Sequence, residues 1–370
     1  MTWRRFRIGQ QEIHTLTALA TFAIGGAGGA LATLAGLPLP MLLGSVLAVG
    51  VAAWLGLRPG GRDPGVPMGL RLFFVPIIGV SIGTAFTPQV LAEALNWWPT
   101  LLAAFVYIPL AHYVGYWGYR VMGGLDPCTA YYSAVPGGLL EVIMMGEDAG
   151  ADPRMLTILQ FMRLILCIML VPVGFQLFEG MAVGSSAGAS LAAPGATLGP
   201  MDVAVLAAAG VVGFFAGRRL NMPAGIITGP ILVSGIVHLA GLTAAAPPDW
   251  SIQLTQLIIG TTLGTRFVGV KTRLLARALR LAFVNIIFTL ILAICAALLL
   301  SGAVGEIPEA VVLAFAPGGL AEMSLIAVSL QISVIYVTSH HILRIVLSVA
   351  VARAFAGRIP PGPNLPGGAA

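Results

Sequence analysis

Two short strings in the sequence join a helix break to an ionisable group. Pro136, Gly137 and Gly138 are followed three residues later by Glu141, and Pro317, Gly318 and Gly319 are followed at the same spacing by Glu322. Proline removes a backbone donor and glycine weakens a helix, so each string interrupts an apolar stretch and frees backbone groups. Freed amides can hold an anion and freed carbonyls a cation. The two glutamates could bind or release a proton or a sodium ion. The blander reading is that the glycines let helices pack closely while each glutamate neutralises an arginine.

The apolar segment after each break carries a polar stripe. Thr157, Gln160, Arg163 and Cys167 form the first, and Thr338, His341, Arg344 and Ser348 the second. Steps of three, three and four keep each set on one helical face. A charge near the middle of a membrane helix is costly unless paired or hydrated. Two readings follow for Arg163 and Arg344. They could face a cavity and bind an anionic group, or they could lock each break through Glu141–Arg163 and Glu322–Arg344 pairs. His340 and His341 are adjacent and point to different faces, which does not suit a metal site.

The elements that must position these residues belong to a membrane. The chain has 370 residues, 58% hydrophobic and 9% charged, with net charge +5. Soluble domains carry about 25% charge, so lipid is the natural solvent of this chain. The basic residues are scattered over short loops, which encodes topology and excludes a nucleic-acid partner. Cys128, Cys167 and Cys295 sit in apolar contexts at no metal-ligand spacing and read as buried structural thiols. No Walker loop or dinucleotide fingerprint is present, and no cofactor is implied. Arg4, Arg5 and Arg7 before a long apolar stretch read as the flank of a retained first helix rather than of a signal peptide.

An internal repeat organises the chain. PGGLLE at 136–141 returns as PGGLAE at 317–322, an offset of 181, and IIGVSIGTAF at 77–86 returns as IIGTTLGTRF at 258–267. Nearer each start the offset is 185, with Gly28, Gly44 and Gly56 matching Gly213, Gly229 and Gly241. Residues 15–178 form a first membrane repeat and 201–355 a second. A Gly/Ala/Ser-rich linker at 179–200 reads as a periplasmic tether, and 356–370 as a disordered tail.

Each half offers six apolar stretches: 15–36, 39–57, 67–86, 98–120, 129–147 and 155–178, then 201–217, 221–241, 252–270, 281–302, 309–329 and 331–353. If all six span, Arg218, Arg219 and the cluster Lys271 to Arg280 fall outside, against the positive-inside rule. If the Pro-Gly-Gly stretch re-enters or is a broken helix, 15 of the 19 Lys and Arg face the cytoplasm and the other four lie within spans. The second arrangement wins. It gives an all-α polytopic protein of two inverted repeats, each with about five spans and one broken or re-entrant element, and both termini cytoplasmic. Inverted repeats with broken elements are a recurrent transporter plan. Arg71 and Arg266 lie near helix ends and read as snorkelling groups. Gly79, Gly83, Gly260 and Gly264 read as helix-packing seams.

The doubled PGG-x-x-Glu block, followed at equal spacing by Arg163 or Arg344, resembles the AbrB-type membrane protein family with internal duplication. The resemblance covers about 15–355. Members carry the labels "AbrB family transcriptional regulator" or "ammonia monooxygenase". The chain has no soluble segment long enough for a DNA-binding domain and no copper or iron ligand set, so the regulator label would reflect an indirect effect on gene expression. The expectation is a secondary transporter in the bacterial inner membrane, not an enzyme. It would move a small, anionic solute and be ion-coupled, and the plan is compatible with a homo-oligomer. The alternative is a membrane protein that alters transcription indirectly.

Overall fold

The computed structural model describes residues 5–7, 12–179 and 198–364. Among the described residues the protein is all-helical apart from a two-stranded antiparallel ribbon, β1 (Arg5–Arg7) with β2 (Glu12–His14). The first part of the chain forms α1 (Thr15–Leu34), α2 (Pro40–Trp54), α3 (Met68–Gly83), α4 (Pro88–Ala94), α5 (Trp98–Val121), α6 (Pro127–Ala134), α7 (Leu139–Asp148) and α8 (Pro153–Glu179). The second forms α9 (Pro200–Arg219), α10 (Gly225–Leu239), α11 (Asp249–Gly264), α12 (Thr272–Val304), α13 (Pro308–Phe315), α14 (Leu320–Ser329) and α15 (Val334–Ala356).

Among the described residues six helices (α1, α5, α8, α9, α12 and α15) are long and apolar enough to cross a membrane. The apolar helices α2, α10 and α14 are shorter, and α3 with α4 makes a pair bent by 85°. Large apolar side chains such as Leu31, Phe105, Phe215 and Leu298 lie exposed on these helices, as lipid-facing residues do. Cys295 shares that outward face of α12 and is exposed, unlike the buried Cys128 and Cys167, so the expectation of three buried thiols fails at this position.

Local chemistry sets the ends of the broken elements. Asp126 caps α6 by accepting from the Thr129 amide at 2.9 Å, and Pro127 occupies the first turn, where its missing N–H costs nothing. Val135 and Ala316 precede prolines and take extended ψ values of 122° and 142°, which end α6 and α13. Gly138 then adopts φ +69°, a left-handed conformation that opens α7.

The chain divides into two compact units. Unit 1 takes Met1–Ala92, Pro172–Val270 and Ser324–Ile335; unit 2 takes Glu93–Val171, Lys271–Met323 and Tyr336–Ala370.

In unit 1, helix pairs close on glycine. A Cβ at Gly213 would lie 2.5 Å from Pro230 Cα, and one at Gly44 would lie 2.5 Å from Gly28 C, so α9 meets α10 and α1 meets α2 backbone to backbone. The seams at Gly79 and Gly260 are reciprocal. A Cβ at Gly79 on α3 would lie 2.6 Å from the Ile227 carbonyl oxygen on α10, and one at Gly260 on α11 would lie 2.5 Å from that of Leu42 on α2. Likewise Gly83 meets Ser234, and Gly264 meets Val49. Arg71 is partly buried, with its Nε lacking a protein partner, whereas Arg266 is exposed.

In unit 2, α5 packs on α6 and α12, and α12 on α13. Of the expected tail at 356–370, residues 356–364 are described and held in place: the Gly362 amide donates to the Ala149 carbonyl at 2.8 Å and the Asn364 amide to that of Gly150 at 3.1 Å, while 365–370 lie outside the described residues. The expected linker at 179–200 lies, but for its ends, outside the described residues.

Candidate functional site

Every residue singled out at the two breaks and on the two stripes lies in unit 2. The last carbonyls of a helix have no partner within it, and at α6 and α13 the stripes supply those partners. Gln160 on α8 donates its amide to the Tyr132 carbonyl at 2.8 Å and reaches those of Ser133 at 3.3 Å and Val135 at 3.4 Å. Arg163 donates Nη1 to the Val135 carbonyl. The second break repeats the arrangement 181 residues on: the His341 Nε2 meets the Leu313 carbonyl at 2.9 Å, and Arg344 donates Nη1 to that of Ala316 and Nη2 to that of Gly318. A guanidinium at a helix C-terminus also meets the negative end of the helix dipole.

These side chains are deeply buried. Gln160 and His341 are fully enclosed, and Arg163 and Arg344 are 5% and 3% exposed. The Nε of each arginine, the Gln160 Oε1 and the His341 Nδ1 have no hydrogen-bond partner within the protein, and neither do Ser133 Oγ and Ser348 Oγ. Unpartnered buried polar atoms are rare in folded proteins and call for a reason.

Each break also rests on the stripe helix of the other half. A Cβ at Gly137 would lie 3.0 Å from Ser348 Oγ, and one at Gly138 would lie 2.6 Å from Val349 Cγ2, both on α15. A Cβ at Gly319 would lie 3.1 Å from Leu164 Cδ1 on α8. Pro136, Gly137 and Gly138 are buried, as are Pro317 and Gly318, with Gly319 partly so. The two breaks thus share α8 and α15, and Arg163 and Arg344 come within electrostatic reach of each other and of Cys167.

The glutamates are not equivalent. Glu322 is 6% exposed, lies against Gly319 and is within electrostatic reach of Arg344. Glu141 is exposed on α7, and the Arg163 hydrogen bond goes to a carbonyl instead.

Two residues of α5 join the site without having been legible in the sequence. Tyr107 donates its hydroxyl to the carbonyls of Thr289 and Phe315, each at 3.0 Å, and His112 Nε2 meets the Tyr131 carbonyl at 3.0 Å. Their positions in the second half are Phe288 and Ala293, so the repeat carries no trace of them.

An all-helical chain with several membrane-length apolar helices and buried cations at two helix breaks is a polytopic membrane protein. Residues 41–359 match the family described as "Transition state regulatory protein AbrB", and the chain belongs to that family. Among similar proteins, "Uncharacterized protein YhjN" of Bacillus subtilis strain 168 is 25% identical over 365 residues, covering 94% of each chain. The "Putative regulator AbrB" of Escherichia coli strain K12 is 26% identical over 265 residues, covering 70% of this chain and 72% of its own.

Proposed function

We propose that the protein is a secondary transporter of a small anionic solute, working by transport and not by catalysis. The observation that carries this reading is the pair of buried guanidiniums, each tied to helix-end carbonyls on one edge and without a protein partner at Nε. Carbonyl dipoles offset only part of a full positive charge, and burial raises the cost of what is left over. A carboxylate or similar anion accepts well from a guanidinium edge and would add to the one negative charge that Glu322 brings within reach of Arg344. The reciprocal packing of each break on the other half's helix supports an alternating-access device built from two inverted halves.

The test is metabolite profiling of a deletion strain for uptake and efflux. An anionic solute is expected whose flux falls and returns with the wild-type gene, but not with Arg344→Lys, because lysine cannot present two parallel donors. The printed name of the Escherichia coli relative favours a second reading, a membrane protein that acts indirectly on transcription. Altered transcript levels with unchanged flux of every solute would select it.

The inverted arrangement, with both termini cytoplasmic in a bacterial inner membrane, has its own test. Reporter fusions after Gly61 and Arg358 are expected to read cytoplasmic, and a fusion after Ala187 periplasmic. A cytoplasmic signal at Ala187 removes the inverted plan.

A further inference from the structure

We infer that unit 1 carries a binding site for a monovalent alkali cation in the small cleft where Asp249 and Gln256 of α11 meet Ser81 of α3 and Ser329 of α14. The cleft holds a cavity of about 40 Å³. A single water molecule needs about 10–15 Å³ of such space, so the cleft has room for a hydrated inorganic ion.

The polar lining is of one chemical kind. It comprises a carboxylate, a carboxamide and two hydroxyls, all oxygen donors of the sort hard cations take. Asp249, Ile252 and Gln256 follow one another at steps of three and four and so line the cleft along one face of α11. Asp249 is exposed at the mouth and Gln256, 1% exposed, lies deep. Gln256 Oε1 has no hydrogen-bond partner within the protein, so a buried acceptor lines the cavity with nothing to accept from. The Ser329 hydroxyl donates to the Ile326 carbonyl at 2.9 Å, which directs its proton away and leaves its lone pairs free. Ser329 is also the last residue of α14, where the helix dipole is negative.

The charge count selects the valence. One carboxylate among neutral oxygens matches a single positive charge, whereas calcium sites gather several carboxylates. The inference stands on its own geometry. Joined to the transport reading it supplies a coupling ion, and a binding measurement tests it even if no solute is ever found to move.

The experiment is thermal unfolding of the purified full-length protein in detergent, with choline chloride replaced at constant ionic strength by sodium or potassium chloride. A saturable rise of about 3 °C or more over choline is expected with one of the two alkali ions. Asp249→Asn and Gln256→Leu should each lose most of that rise, while Glu147→Gln, an exposed carboxylate in unit 2, should keep it. No alkali-specific rise in the wild type overturns the assignment, whatever the variants do. A full rise in both Asp249→Asn and Gln256→Leu, or a rise only with magnesium or calcium, overturns it too.

Discussion

Arg344→Met is expected to lower the stability of the protein by about 3–5 kcal/mol, the size seen when one member of a buried charged contact is removed. The variant strips hydrogen bonds from the carbonyls of Ala316 and Gly318, two buried residues, at once. The Gly318 carbonyl then bears its desolvation cost, while that of Ala316 keeps the Gly318 amide at 2.9 Å. Arg163→Met should cost less, because Gln160 still reaches the Val135 carbonyl. The two sites also differ in their coupling to the glutamates. Glu141→Gln combined with Arg163→Met should be additive within about 0.5 kcal/mol, as for residues without a shared partner. Glu322→Gln combined with Arg344→Met should not be additive, since those charges lie within reach of each other. Thermal unfolding in detergent of the singles and doubles measures all of this. Rescue of Arg163→Met by Glu141→Gln would show that an ion pair, and not the carbonyl, anchors the first break.

The second large effect is expected at the glycine seams of unit 1. Gly229→Leu and Gly44→Leu place a branched side chain where a Cβ alone would already collide with the backbone of the facing helix, at Gly213 and at Gly28. Overpacking in cores costs about 1–3 kcal/mol, and more where backbone must move. In lipid the close approach of small residues is itself the main source of helix association. Both variants should therefore fail to give a monodisperse peak in size-exclusion chromatography. Gly26→Leu is the control: it lies on α1 two residues from Gly28, and a Cβ there meets nothing within 4 Å. A well-behaved Gly229→Leu protein would mean that α9 and α10 are held together by something other than this contact.

Much of the helix plan could be read from apolar runs, because burial in lipid leaves a simple mark. The run at 15–36 became α1 at Thr15–Leu34, and 155–178 became α8 at Pro153–Glu179. Failure came where polarity and helicity part company. The run at 281–302 marks only the later portion of α12, which begins at Thr272, because Arg273, Arg277 and Arg280 ride on a helix rather than a loop. Such an extension fits a helix of 33 residues, about 50 Å long, that outruns a hydrocarbon core of about 30 Å. The seven-residue α4 and the β1–β2 ribbon are too short to leave any periodicity.

At the site, the spacing of Gln160 to Arg163 and of His341 to Arg344 correctly placed each pair on one face. The carbonyls they meet could not be foreseen, since every residue has a carbonyl and none announces that it is free. Charge complementarity suggested glutamate partners instead. That guess was blind to α7 turning Glu141 outward while Glu322 stays in.

The way each break leans on the far half has a consequence for synthesis. The Tyr131 hydroxyl on α6 donates to the Ala352 carbonyl at 2.9 Å, Gly138 rests against Val349, and Gly362 and Asn364 bond the turn after α7. The earlier broken element is therefore completed by a stretch of chain that leaves the ribosome long after it. Until α15 enters the bilayer, α6 and α7 lack one of their walls, and contacts so far apart in sequence form late. A chain cut short before residue 344 loses a wall of its first half as well as its end. The nascent protein must wait with an open polar break among lipids, or in the care of the insertion machinery, for α15 to arrive.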